Sequence, residues 1–126
     1  MKRLIVFVLT VSLLGSCSES VTLIPDENFE QALIYLGYDD VIDGKVLTEN
    51  ISSIDSLGVS RKKISDLSGI EAFTSLKRLD CRRNKLTSLD VSNNTALKSL
   101  SCSFNYQLTS LDVSNNTALT YLHCGG

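Results

Sequence analysis

The sequence predicts a solenoid of the α/β type, built mostly from short parallel strands and loops and closed at its N-terminal end by a helix. Three observations carry this. The phrase Leu76-Lys-Arg-Leu79-Asp-Cys81 returns as Leu97-Lys-Ser-Leu100-Ser-Cys102 and again as Leu119-Thr-Tyr-Leu122-His-Cys124, at steps of 21 and 22 residues. The stretch Thr87 to Leu97 (TSLDVSNNTAL) recurs unchanged as Thr109 to Leu119. Within each phrase apolar and polar residues alternate, the pattern of a strand with one buried face. A fixed period of this size marks stacked units, none of which buries its apolar side alone.

The elements follow in chain order. Lys2 and Arg3 precede a mostly apolar run, Leu4 to Leu14. The run is shorter than the roughly 20 residues a helix needs to cross a bilayer. Charge followed by a short apolar core is the pattern of a secretory signal peptide, here residues 1–16. Leu14-Gly15-Ser16-Cys17 resembles the bacterial lipobox, which implies a diacylated Cys17 as the mature N-terminus. Ordinary cleavage near Ser16 or Ser18 is the alternative. Acyl chains on Cys17 would hold the protein on a membrane, not through it. Residues 17–23 then form the lipidated Cys and a tether. The location implied is the bacterial cell envelope, on the outer membrane or exposed at the cell surface.

Residues 24–50 read as an N-terminal cap. Asp26 is placed to N-cap a helix that has Glu27 and Glu30 in its first turns. Phe29, Leu33 and Leu36 fall on one face, and Gly37 is placed to end it. Asp39, Asp43 and Gly44 have a calcium-loop spacing, but Val41 and Asn50 stand where oxygen ligands are needed, so a polar turn is the competing reading.

Residues 51–126 hold the repeats. They carry Leu76-x-x-Leu79-x-Cys81-x-x-Asn84-x-Leu86 and Leu97-x-x-Leu100-x-Cys102-x-x-Asn105, with Leu86-x-x-Leu89-Asp90-Val91-Ser92-x-Asn94 and Leu108-x-x-Leu111-Asp112-Val113-Ser114-x-Asn116 nested between them. The phrase L-x-x-L-x-L-x-x-N-x-L is the leucine-rich repeat signature. The chain resembles leucine-rich repeat proteins. It is similar to a short class that alternates L-x-x-L-x-C-x-x-N with L-x-x-L-D-V-S-x-N in surface proteins of Bacteroidetes-type bacteria. Upstream the pattern weakens: Ile54-Asp-Ser-Leu57-Gly-Val59 keeps the register, and Lys62 falls where Asn belongs. In this reading Leu79, Cys81, Asn84, Leu100, Cys102, Asn105, Leu122 and Cys124 are structural. Their side chains face inward, and Asn84 and Asn105 form a ladder to the backbone of neighbouring repeats.

Alternation also writes out the exposed face. Its rows are Ser56, Arg78, Ser99, Tyr121; then Gly58, Asp80, Ser101, His123; then Ser60, Arg82, Ser103, Gly125. The candidate ligand-binding residues are Arg78, Asp80, Arg82, Ser99, Ser101, Ser103, Tyr121 and His123.

Composition narrows the function further. Removing residues 1–16 leaves 110 residues, one domain by size, with 10 basic and 14 acidic side chains. That balance carries no overall signal for nucleic acid. Eight of the basic residues nevertheless lie between 61 and 85: Arg61, Lys62, Lys63, Lys77, Arg78, Arg82, Arg83 and Lys85. A solvated edge is one reading, and a patch for an anionic partner is the other. Beyond Cys17 three cysteines remain, an odd number at inward positions, which reads as core and not as a disulfide framework. Strand neighbours about 4.8 Å apart set thiols in a row rather than a metal tetrahedron. No nucleophile-and-base pair or phosphate loop accompanies His123, the single histidine.

The expectation is a non-enzymatic envelope lipoprotein that binds a protein or glycan, with no cofactor and no metal. A different reading takes the chain as a truncated fragment of a longer leucine-rich repeat protein without independent function, because it stops at Cys124-Gly125-Gly126 inside a repeat. An uncovered last repeat would also favour self-association through residues 108–126.

Overall fold

The structure is a computed structural model that describes residues 19–126. The leader and Cys17 lie outside the described residues. Strand β1 (Val21–Leu23) pairs antiparallel with β2 (Lys45–Leu47). Between them runs helix α1 (Glu27–Tyr35), and a single turn, α2 (Thr48–Ile51), follows β2. Val21–Leu23, placed by sequence in the tether, are therefore part of the cap. Thr22 points inward with its hydroxyl 2.8 Å from that of Thr48, while Val21 and Leu23 face out. A strand of three residues is too short for its alternation to stand out in the sequence.

Asp26 starts α1 and ties it down. One carboxylate oxygen accepts the backbone N–H groups of Asn28 and Phe29 at 2.9 and 3.1 Å, a regular N-cap. The other accepts the N–H groups of Ser65 and Asp66, across to the first repeat. The buried face holds Phe29, Ala32 and Leu33, and the Phe29 ring stacks on Phe73 of the repeats at 6.2 Å. Leu36, expected on that face, is 39% exposed. It lies just past the last helical residue, where Gly37 takes a φ of 88° and turns the chain away. Glu30 is buried, and its carboxylate accepts the N–H groups of Asp43, Gly44 and Lys45. The loop whose spacing looked calcium-like is thus a turn wrapped around a carboxylate of the chain itself.

Strands β3 (Ser56–Gly58), β4 (Arg78–Asp80), β5 (Ser99–Ser101) and β6 (Tyr121–His123) form one parallel sheet in chain order, one strand per repeat. Leu57, Leu79, Leu100 and Leu122 stand in register. Beside them run Val59, Cys81 and Cys102, and Ile54, Leu76 and Leu97, all buried. Burial of each such aliphatic side chain stabilises by about 1.5–3 kcal/mol. Gly69, at φ 107°, lets the cap close on the repeats, because a Cβ there would sit 2.7 Å from the Leu23 carbonyl. At the far end Leu122 is 42% exposed. It is inward in register, but no described strand lies beyond β6 to cover it.

Candidate functional site

The exposed face of the sheet is set by the same registry that builds the core. Ser56, Arg78, Ser99 and Tyr121 form one row across β3 to β6, and Gly58, Asp80, Ser101 and His123 the next. Arg78, Tyr121 and His123 are exposed; Asp80, Ser99 and Ser101 are half-buried. Asp80 is held by Arg82, whose guanidinium donates to both carboxylate oxygens at 2.8 Å. That hydrogen bond holds the Asp80 carboxyl below the usual carboxylate range and raises Arg82 in turn. Tyr121 and His123 meet edge to face at 6.5 Å. The face thus has a fixed charge pair in its second repeat, hydroxyls in its third and an aromatic pair in its last.

The third expected row does not form. Arg82 is exposed, but Ser103, named as an outward residue, is fully buried. Its hydroxyl donates to the His123 carbonyl at 3.1 Å, inside the structure. The strands end at Asp80 and Ser101, and the chain then bends through left-handed residues, Arg83 at φ 58° and Phe104 at 62°. Alternation has no meaning past that bend.

The inward residues fall where expected through the third repeat. Asn84 accepts the N–H groups of Lys62 and Ile64 and donates to the carbonyls of Val59 and Cys81. Asn105 accepts from Leu86 and donates to Cys81 and Cys102. A second ladder went unassigned in the sequence. Asn94 and Asn116 are also buried, Asn94 donating to Ile70 and Phe73 and Asn116 to Val91 and Asn94. Their 22-residue spacing inside the unchanged repeat was the available signal.

The cysteines form a third column. Cys81 and Cys102 are buried and free, and Cys124 is free and exposed. Burial, then the neighbouring Cys102 and Asp80, push the Cys81 thiol far above its ordinary value. Burial, with Cys124 beside it, pushes Cys102 up to about 11. Both thiols are therefore protonated at neutral pH, and a protonated thiol is a poor nucleophile and metal ligand. Among the described residues no three His, Cys, Asp or Glu side chains converge on one point.

No profile of a known protein family matches the sequence. Over 71 residues, 56% of the chain, it is 38% identical to internalin J of Listeria monocytogenes, and this match spans 8% of that protein. The structure superimposes on the functional domain of the L. monocytogenes InlJ, described as including a cysteine ladder, with a TM-score of 0.70 and 31% identity over 86% of this chain and 24% of that one. It also superimposes on internalin C2 of the same species with a TM-score of 0.60, over 84% of this chain and 60% of that one; at 16% identity this concerns the fold alone. These similarities support a leucine-rich repeat protein. The chain spans a quarter or less of the internalin J sequences it matches.

Proposed function

We propose that this chain is a non-enzymatic, surface-binding repeat protein of the bacterial cell envelope. The proposed ligand is a protein or a glycan, held on the exposed face of the four-stranded sheet. The observation that carries this reading is the register: Arg78, Tyr121 and His123 project from one continuous face while the inward residues of β3 to β5, Leu57, Leu79 and Leu100, are buried. A hydroxyl-bearing face with a cation at one side and an aromatic pair at the other offers a ligand both polar and apolar contacts. The similarity to internalin J agrees with a bacterial surface-binding protein.

The finer parts of the reading rest on the sequence. Lipid attachment at Cys17 follows from the lipobox-like Leu14-Gly15-Ser16-Cys17. Assignment to the Bacteroidetes-type class follows from its alternating Cys and Asp-Val-Ser phrases. The stacked solenoid follows from the repeat period. The test is an array of glycans and host proteins probed with the Cys17→Ser chain and with the same chain carrying Arg78→Glu and Tyr121→Ala. A ligand retained by the first and lost by the second supports the reading. Ligands retained equally by both would remove the sheet face from the account.

A further inference from the structure

The cations between 61 and 85 do not all belong to the sheet face. Arg61 and Arg83 stand one repeat apart, as do Lys63 and Lys85, each pair separated by 22 residues. Stacked repeats bring the backbones of such pairs to about 4.8 Å. Four cations thus share one edge of the stack, a placement that attracts an anion. None lies there among the described residues, whose two ion pairs are Lys45–Asp43 and Arg82–Asp80.

Three of these four cations sit on left-handed backbone. Arg61, Lys63 and Arg83 take φ values of 60°, 62° and 58°, the left-handed region that side-chain-bearing residues avoid. In the next repeats the position of Arg61 and Arg83 is filled by Phe104, at 62°, and Gly126, at 121°. Glycine is the unstrained choice there, so two arginines at adjacent left-handed turns are a costly one. The turns are fixed by backbone bonds from Arg61 N–H to the Arg82 carbonyl at 3.0 Å and from Arg83 N–H to the Ser103 carbonyl at 2.9 Å.

Between the two turns lies a shallow concavity of about 180 Å³ lined by Ser60, Arg61, Arg82 and Arg83. Arg82 is neutralised there by Asp80. The Arg83 guanidinium lies over the Phe104 ring, 4.4 Å from its centroid, a cation–π contact. Tyr106 meets Phe104 edge to face at 6.2 Å and is 77% exposed.

We propose that this turn edge is a second binding site, adjoining the sheet face at Arg82, that takes the sulfate or carboxylate groups of an acidic glycan. Arg61 and Arg83 supply planar forks that match such oxyanions two N–H groups at a time. The Ser60 hydroxyl supplies a further donor, and Tyr106 supplies a platform for a sugar ring. The concavity is small, about 180 Å³, and a single aromatic pair, Phe104 and Tyr106, adjoins it through Arg83. A single-stranded nucleic acid is served instead by a long basic groove with successive stacking residues. A glycan, with acidic groups spaced along a chain of rings, fits the smaller arrangement.

The test is titration calorimetry of the Cys17→Ser chain with a heparin octasaccharide, a neutral chitin oligomer, a thymidine oligonucleotide and a polyglutamate peptide of matched charge. The octasaccharide is expected to bind, more weakly as salt rises, and the chitin oligomer not to bind. Arg61→Gly with Arg83→Gly should weaken octasaccharide binding roughly tenfold or more. Glycine suits these φ values, so the double variant should keep an unfolding midpoint close to the parent's. Lys98→Gln, which removes one charge at the opposite end of β5, should leave the affinity unchanged. Absence of octasaccharide binding, or unchanged affinity in the double glycine variant, overturns the proposal. Equal affinity for the oligonucleotide or the peptide overturns its glycan specificity.

Discussion

Replacing Asn84 by Ala removes a side chain that serves two repeats at once. Its carbonyl oxygen accepts the N–H groups of Lys62 and Ile64, each at 3.0 Å, and its amide donates to the carbonyls of Val59 and Cys81. Cys81 keeps a second donor in Asn105 after the substitution, at 3.1 Å. The groups left without partners are therefore Lys62 N–H, Ile64 N–H and the Val59 carbonyl. A buried polar group without a partner costs about 1–3 kcal/mol, and water reaching the site through the slightly exposed edge lowers the sum, so the substitution should cost about 3–5 kcal/mol. Asn105→Ala orphans only Leu86 N–H and the Cys102 carbonyl, and should cost about 2–3 kcal/mol. Urea unfolding of the two variants beside the parent, with a common slope, measures both. A loss under 1 kcal/mol for Asn84→Ala, or a larger loss for Asn105→Ala, would refute the ladder as a source of stability.

The other predictions are shorter. Cys124 should alkylate quickly in the native protein while Cys81 and Cys102 wait for unfolding; fast labelling of Cys81 would contradict the inward column. A thiol raised by folding is held protonated, so its stabilisation is complete below the unfolded value of 9.0 and is lost as pH climbs from there through about 11 for Cys102. Stability should accordingly fall across that alkaline window, less so in Cys102→Ala, and a flat profile would count against a buried thiol. Labelled fatty acid should enter the full chain in a bacterial host and fail to enter Cys17→Ser; equal labelling of the two would end the lipid-anchor proposal. Self-association through residues 108–126 remains a proposal that rests on the 42% exposure of Leu122 on β6. Sedimentation should show association that rises with concentration and weakens in Leu122→Lys, and a strict monomer at tens of micromolar would argue against it.

The repeat made much of this legible. A 21- or 22-residue step sets the sheet register, and register alone assigns Leu79, Cys81, Leu100 and Cys102 to the core and Arg78, Tyr121 and His123 to the exposed face. What stayed hidden depends on partners distant in sequence or on backbone angles. Glu30 looked like a charge for the helix N-terminus, and its burial follows from N–H groups 13 to 15 residues away. The second oxygen of Asp26 reaches Ser65 and Asp66, about 40 residues on, which no local pattern announces. Ser103 turns inward because it lies past the end of a three-residue strand, beside a left-handed bend where period-2 alternation no longer holds. That bend falls on Phe104, a residue whose type gives no warning of a positive φ.

We propose two binding sites on one molecule, the exposed sheet face and the turn edge that adjoins it. The most direct measurement is the dissociation constant of an array-selected ligand for the Cys17→Ser chain, for Arg78→Glu with Tyr121→Ala, and for Arg61→Gly with Arg83→Gly. For a ligand of the sheet face, the account predicts at least roughly tenfold weaker binding in the first variant, near-parental binding in the second, and unchanged unfolding midpoints in both. Parental affinity in the sheet-face variant, with that midpoint intact, would contradict it.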